Sequence, residues 1–107
     1  MTQQKKPEKS YSIVVTNAAT RDLKRLQRRD LVKVDARIKT LATDPRPKDC
    51  KKLADNIYRI RVGSYRIVYG IEEDQLVVVI IRVRDRKNVY RNLPAWKSIL
   101  AKLNLAS

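Results

Sequence analysis

The sequence predicts an α+β domain: a small antiparallel β-sheet with a mixed edge, two N-terminal helices packed on one face, and a C-terminal helix. Three observations lead to it. Segments of period 2 and period 3.6 alternate in the order strand, helix, helix, three strands, helix, which places helices on one face of a sheet. "YRIRVGSYRIVY", Tyr58 to Tyr69, has the alternation and central Gly63-Ser64 of a tight hairpin. The run Leu76 to Ile81 is uniformly apolar, as in a central strand covered on both faces. With 107 residues the chain holds one core and one domain.

Residues 1–10, "MTQQKKPEKS", are polar and show no apolar periodicity, so a mobile basic tail is expected before a domain spanning residues 11–107. "YSIVVT" is a strand. In "TNAATRDLKRLQRR", Thr16 or Asn17 is available as N-cap, and Ala19, Leu23 and Leu26 form one buried stripe. The opposite face, with Arg21, Lys24, Arg25, Arg28 and Arg29, either solvates the surface or extends a basic footprint. Asp30 is placed to cap a second helix carrying Leu31, Val34, Ile38 and Leu41, which "TDPRP" ends. The two helices form an antiparallel hairpin. "PRPKDCKKLADN" reads as a loop.

The hairpin that follows pairs Val62 with Tyr65, Arg61 with Arg66, Ile60 with Ile67 and Tyr58 with Tyr69. One face is then apolar, and the other carries Arg59, Arg61 and Arg66. After the acidic turn "EEDQ", "LVVVIIRV" is the central strand, and its uniform character hides which residues face which side. It turns basic at Arg82. A C-terminal helix over about 94–104 follows Pro94, amphipathic through Trp96, Ile99, Leu100 and Leu103, with Trp96 as its core anchor.

Charge narrows the function. Lys and Arg number 25 against 11 Asp and Glu, a formal net charge of +14, which points to a polyanionic partner and first to nucleic acid. The long basic amphipathic helix of a membrane-surface protein is missing, and the longest apolar run is too short to span a bilayer. No secretory apolar segment follows Met1, so a cytoplasmic location is expected. The single cysteine, Cys50, forms no internal disulfide. The absence of histidine excludes histidine-based zinc sites, a Ser-His-Asp triad and a two-histidine ribonuclease, leaving Arg, Lys, Tyr and carboxylates for any chemistry. No metal or cofactor is called for.

Arginines directly opposite each other destabilise a sheet by some tenths of a kcal/mol up to about 1. An anion held between Arg61 and Arg66 removes that penalty. Three of the four acids between residues 59 and 91, Glu72, Glu73 and Asp74, cluster in one turn, so the other end of the sheet is left positive. There the hairpin turn and the exit of the central strand at Arg82, Arg84 and Arg86 form a basic concavity, with Tyr90 at its edge.

The series "KKL", "YRIRVGSYRIVY", an acidic turn, "LVVVIIRV" and "RKNVYR" resembles the RelE family of toxins from toxin–antitoxin systems, over about Tyr11 to Arg91. The resemblance implies a metal-independent endoribonuclease that enters the ribosomal A site and cleaves mRNA by attack of a 2′-OH on the adjacent phosphate. It implies catalytic positions at Arg59 (a proposed general base in some members), Arg61, Arg66 (transition-state stabiliser), Arg84 (proposed general acid) and Tyr90 (base stacking). Lys51, Lys52, Arg82, Arg86, Lys87 and Arg91 become RNA-binding candidates. Partners implied are mRNA, the ribosome with its rRNA, and a cognate antitoxin, small and acidic or amphipathic, RelB-like or of another family, with DNA met only through that antitoxin. Many relatives have Gly-His where this chain has Arg84-Asp85, and Asp85 reads either as a base or, the favoured reading, as a partner for a neighbouring arginine. Alternatives are a ParE-like DNA gyrase inhibitor of the same fold and a non-catalytic RNA- or ribosome-binding domain.

Overall fold

The computed structural model describes residues 10–85 and 95–105. Its elements are β1 (Ser12–Val15), α1 (Asn17–Lys24), α2 (Arg28–Thr40), β2 (Lys51–Ala54), β3 (Ile57–Val62), β4 (Tyr65–Glu72), β5 (Val77–Arg84) and α3 (Trp96–Lys102). The five strands form one sheet in the order β1-β5-β4-β3-β2. All neighbours are antiparallel except β1, which runs parallel to β5 and makes the mixed edge. Residues 1–9 of the expected tail, and Pro94 at the expected start of the last helix, lie outside the described residues.

Thr16 caps α1: its side chain accepts from the Ala19 amide at 3.1 Å and donates to the Ile81 carbonyl at 3.0 Å, joining the helix start to β5. Asp30 does not cap α2 as expected. That helix begins at Arg28 behind Gln27, because the connection between the helices is shorter than the capping pattern implied. Asp30 lies in its first turn, where a negative charge favours the helix dipole, and accepts from the Tyr65 hydroxyl at 3.2 Å.

The main topological difference from the expectation is β2, which the charges and prolines disguised as loop. It is an exposed edge strand whose one packed apolar side chain is Leu53. Charged residues suit an edge, where they discourage pairing with other chains. Asn56, at φ 67°, makes the tight turn into β3.

The two faces of the sheet carry separate apolar clusters. Ala19, Val34, Ile38 and Leu41 of the helical hairpin region pack against Ile60, Ile67, Tyr69, Ile71, Val78, Ile80 and Val83. On the opposite face Ile99, Trp96 and Leu103 pack on Ile57, Val68, Val77, Val79 and Ile81. Thus α3 covers the second face rather than joining α1 and α2, which gives the all-apolar β5 a cover on both sides. Gly70 permits this contact, since a Cβ there would overlap the Trp96 ring. No described helix is long and apolar enough to cross a membrane.

A β-bulge sets the chemistry of β5. Tyr69 pairs with Ile80 but Val68 pairs with Arg82, so Ile81 is an extra residue. Without it Ile67 would face Arg82, a guanidinium in the helix-side core. With it Ile67 meets Val83, and Arg84 comes opposite Arg66.

Candidate functional site

The register brings most of the sequence-predicted basic residues together. Arg61 on β3, Arg66 on β4 and Arg84 on β5 are directly paired, so three arginines stand side by side across three strands. Two residues along, a second row runs through Lys51 on β2, Arg59 on β3, Val68 on β4 and Arg82 on β5. The first row lies just past Val68 and Ile81, where the apolar cluster under α3 stops. Arg61 is exposed, Arg66 and Arg84 are half-buried, and Arg59 is buried.

Lys52 does not join these rows. It pairs with Tyr58, on the other face, and its amine lies 3.8 Å from Asp55. Tyr90, Arg86, Lys87 and Arg91 lie outside the described residues.

Several acidic groups lie away from the rows, bound to particular partners. Glu73, at the far end of the sheet, accepts from the Tyr11 hydroxyl at 2.5 Å and from Arg46 at 2.6 Å. Arg46 also donates to the Tyr58 hydroxyl at 3.1 Å and sits 5.3 Å above that ring. The hydrogen bond to Glu73, aided by burial, raises the Tyr11 phenol above its ordinary pKa. Arg37 of α2 pairs with Asp49 at 2.6 Å and reaches the Arg61 carbonyl at 3.5 Å, steadying the end of β3. The Arg37 hydrogen bond holds the Asp49 carboxyl below the usual carboxylate range.

Sequence reasoning passed over Asp22. Its carboxylate accepts from Arg82 Nε at 2.9 Å, Arg82 Nη2 at 3.2 Å and the Val83 amide at 2.9 Å. A signal was present, because Asp22 falls at i+3 from Ala19, on the stripe that continues through Leu23 and Leu26 and faces the sheet. Beside it a cleft of about 410 Å³ opens between α1 and the ends of β4 and β5, lined by Asp22, Arg25, Tyr65, Arg84 and the exposed Asp85 among others.

Three arginines in paired register can bind and polarise a phosphate, once their guanidiniums turn to it, through charge-assisted, bidentate hydrogen bonds. They are poorly suited to taking up protons, since a guanidinium keeps its proton at any accessible pH.

Comparison with known proteins agrees with this geometry. Residues 13–90 match the family model of the ParE toxin of the type II toxin–antitoxin system parDE. The toxin named RelE1 of Methanocaldococcus jannaschii is 32% identical over 87 residues, covering 77% of this chain and 97% of that protein. The toxin–antitoxin complex RelBE2 from Mycobacterium tuberculosis contains a chain 31% identical that superposes with a TM-score of 0.66, covering 74% of this chain and 94% of the other. The Escherichia coli RelBE complex, 20% identical with a TM-score of 0.66 and covering 73% and 99%, shares the fold. The chain therefore belongs to the RelE/ParE toxin family and is a toxin of a type II toxin–antitoxin system with the RelE fold.

Proposed function

We propose that the chain is a ribosome-dependent endoribonuclease that cuts mRNA in the A site and so halts translation. The observation supporting this reading is the row Arg61, Arg66 and Arg84, a cationic alignment that the folded protein alone has no use for. In the reaction the 2′-oxygen of one nucleotide attacks the adjacent phosphorus and the bond to the 5′-oxygen breaks. The products are a 2′,3′-cyclic phosphate and a 5′-hydroxyl. A proton leaves the 2′-hydroxyl and one is delivered to the departing 5′-oxygen.

Arg61 and Arg66 bracket the non-bridging oxygens, whose charge grows in the pentacovalent transition state. Arg84 faces the leaving oxygen. Removing one such pre-aligned donor typically costs about 10²–10³ in rate. Arg59, at the position of a proposed base, carries a guanidinium, a group that donates hydrogen bonds and has no lone pair to accept a proton, so it holds the strand rather than moving a proton. Lys51, in register with Arg59, extends the track along the RNA backbone. Tyr90 is assigned to stacking on a base, and Arg86, Lys87 and Arg91 to further phosphate contacts. Because electrostatics carries the chemistry, orientation of the mRNA by the ribosome supplies the rest, and the free protein is a weak nuclease.

A cytoplasmic location follows from this target. The partner that restrains the toxin is a cognate antitoxin, acidic or amphipathic, laid over the basic face. The solved relatives from M. tuberculosis and E. coli are toxin–antitoxin complexes by name, which supports such a partner. Primer extension on translated mRNA tests the reading: wild type produces cuts that Arg66→Ala and Tyr90→Ala both abolish, and cuts surviving both changes overturn the site. The match to the ParE model favours a second reading, inhibition of DNA gyrase. Blocked supercoiling in vitro with intact mRNA would select it.

A further inference from the structure

Asp22 takes no part in the chemistry proposed above, yet its side chain is only 3% exposed and it bonds the two arginines that end β5 in different ways. Arg82 is gripped by both nitrogens of one edge, at 2.9 and 3.2 Å, a fork geometry that fixes the guanidinium. Arg84 Nη1 stands 3.8 Å from Asp22 Oδ1, within Coulomb attraction but beyond hydrogen-bond reach, and its side chain is 41% exposed.

The Val83 amide completes the arrangement. The ladder between β1 and β5 ends at Val15 and Ile80, and Thr16 takes the next contacts, to the carbonyls of Ile80 and Ile81. Past that point β5 has no strand on this side among the described residues. Asp22 Oδ2 accepts the Val83 amide at 2.9 Å, so one side chain replaces the missing partner directly after the bulge that sets Arg84 opposite Arg66. Arg84 also lines the cleft beside α1, which gives its guanidinium room to turn.

We propose that Asp22 is the positioning residue of the arginine row: it anchors Arg82 and the end of β5, and holds Arg84 on a loose tether from which an RNA phosphate takes it. The role of the RNA phosphate rests on the endoribonuclease reading. When Arg84 moves to phosphate, Asp22 keeps its bonds to Arg82 and Val83 and is not left as an unpaired buried charge. Substituting Asp22→Asn then has two opposed effects. Removing a negative charge beside the row raises the positive potential, so RNA binds more tightly in the ground state. Losing the tether misplaces Arg84, so cleavage slows.

The test combines two readouts. Binding uses a fluorescein-labelled, fully 2′-O-methylated single-stranded RNA nonamer, which cannot be cut. Cleavage uses ribosome-bound mRNA. Asp22→Asn should bind the nonamer about three- to tenfold more tightly and cut mRNA at least about tenfold more slowly. Asp22→Glu, which keeps the charge, should recover most of the wild-type affinity. Parallel loss of binding and cleavage in Asp22→Asn, unrescued by Glu, overturns the proposal.

Should Asp22→Asn fail to fold, Arg82→Gln and Arg84→Gln decide. Arg82→Gln should lower the melting temperature more, and Arg84→Gln should lower RNA affinity more. Equal behaviour in both measurements overturns the proposal. If wild type binds the nonamer but leaves mRNA intact, the nuclease reading fails while the affinity pattern still judges the tether.

Discussion

Replacing Arg66 by Gln should stabilise the protein while destroying its function. Arg66 is flanked by Arg61 on one side and Arg84 on the other. Each directly opposed pair of like charges costs roughly 0.2–1 kcal/mol. Two things keep the cost here near the lower end: Arg61 is exposed, so water screens it, and Arg84 is partly balanced by Asp22 at 3.8 Å. The two pairs together are then worth about 0.5–1 kcal/mol. For a domain of this size, 1 kcal/mol moves the melting temperature by about 4–8 °C, so Arg66→Gln should melt about 2–8 °C higher. Calorimetry in 50 mM chloride gives the comparison. The gain should shrink in 1 M salt, where the Debye length falls to about 3 Å. Sulfate at constant ionic strength should raise the wild type more than the variant, because the proposed anion site needs Arg66 between Arg61 and Arg84. A variant less stable than wild type at low salt, with the same response to sulfate, would refute the reasoning.

Gly70→Ala drives a methyl group into the Trp96 ring and should destabilise the protein by about 1–3 kcal/mol. Trp96 is the sole tryptophan, so a red-shifted emission spectrum would report its displacement directly. Tyr69 is fully buried and donates to the Pro45 carbonyl at 2.7 Å, and burial raises its phenol well above the ordinary value. A raised folded pKa means that its contribution is complete below the unfolded value, about 10, and is lost as pH rises beyond it. Urea melts of Tyr69→Phe should therefore show lower stability at pH 7, by about 0.5–1.5 kcal/mol, and a flatter decline above pH 10 than wild type. Asp49 gives the opposite limb. With its carboxyl held below the usual range by Arg37, its contribution is present above the unfolded pKa of about 3.9 and lost as pH falls through the lower folded value, and Arg37→Ala should remove that acid dependence from the urea midpoint.

Local patterns revealed the hairpin and its register down to the facing arginines, because a two-residue turn leaves few ways to pair the strands. The stripe Val34, Ile38 and Leu41 was legible for the same kind of reason, as period 3.6 marks a buried helix face. β2 was hidden because an edge strand contributes little to the core and carries the charges of a loop. The placement of α3 on the second face followed from β5 being apolar on both sides, a clue that fixes the need for a cover without naming what supplies it. Arg84 depended on a bulge at Ile81, which only the mutual fit of Ile67 with Val83 reveals. Asp22 looked like one acid in a basic helix, and its importance appears only when β1 stops short and leaves the Val83 amide to be met. The candidate site was thus readable as a list of residues, whereas its geometry is a tertiary property.

The most direct test is single-turnover cleavage of an mRNA held in the A site of purified ribosomes, comparing wild type with Arg66→Ala. The expected result is cuts ending in a 2′,3′-cyclic phosphate, with the rate constant reduced by at least about 10² in the variant while ribosome binding persists. Cleavage by Arg66→Ala at the wild-type rate, or no cleavage by wild type on a ribosome it demonstrably binds, would contradict the claim that the arginine row stabilises a phosphoryl transition state.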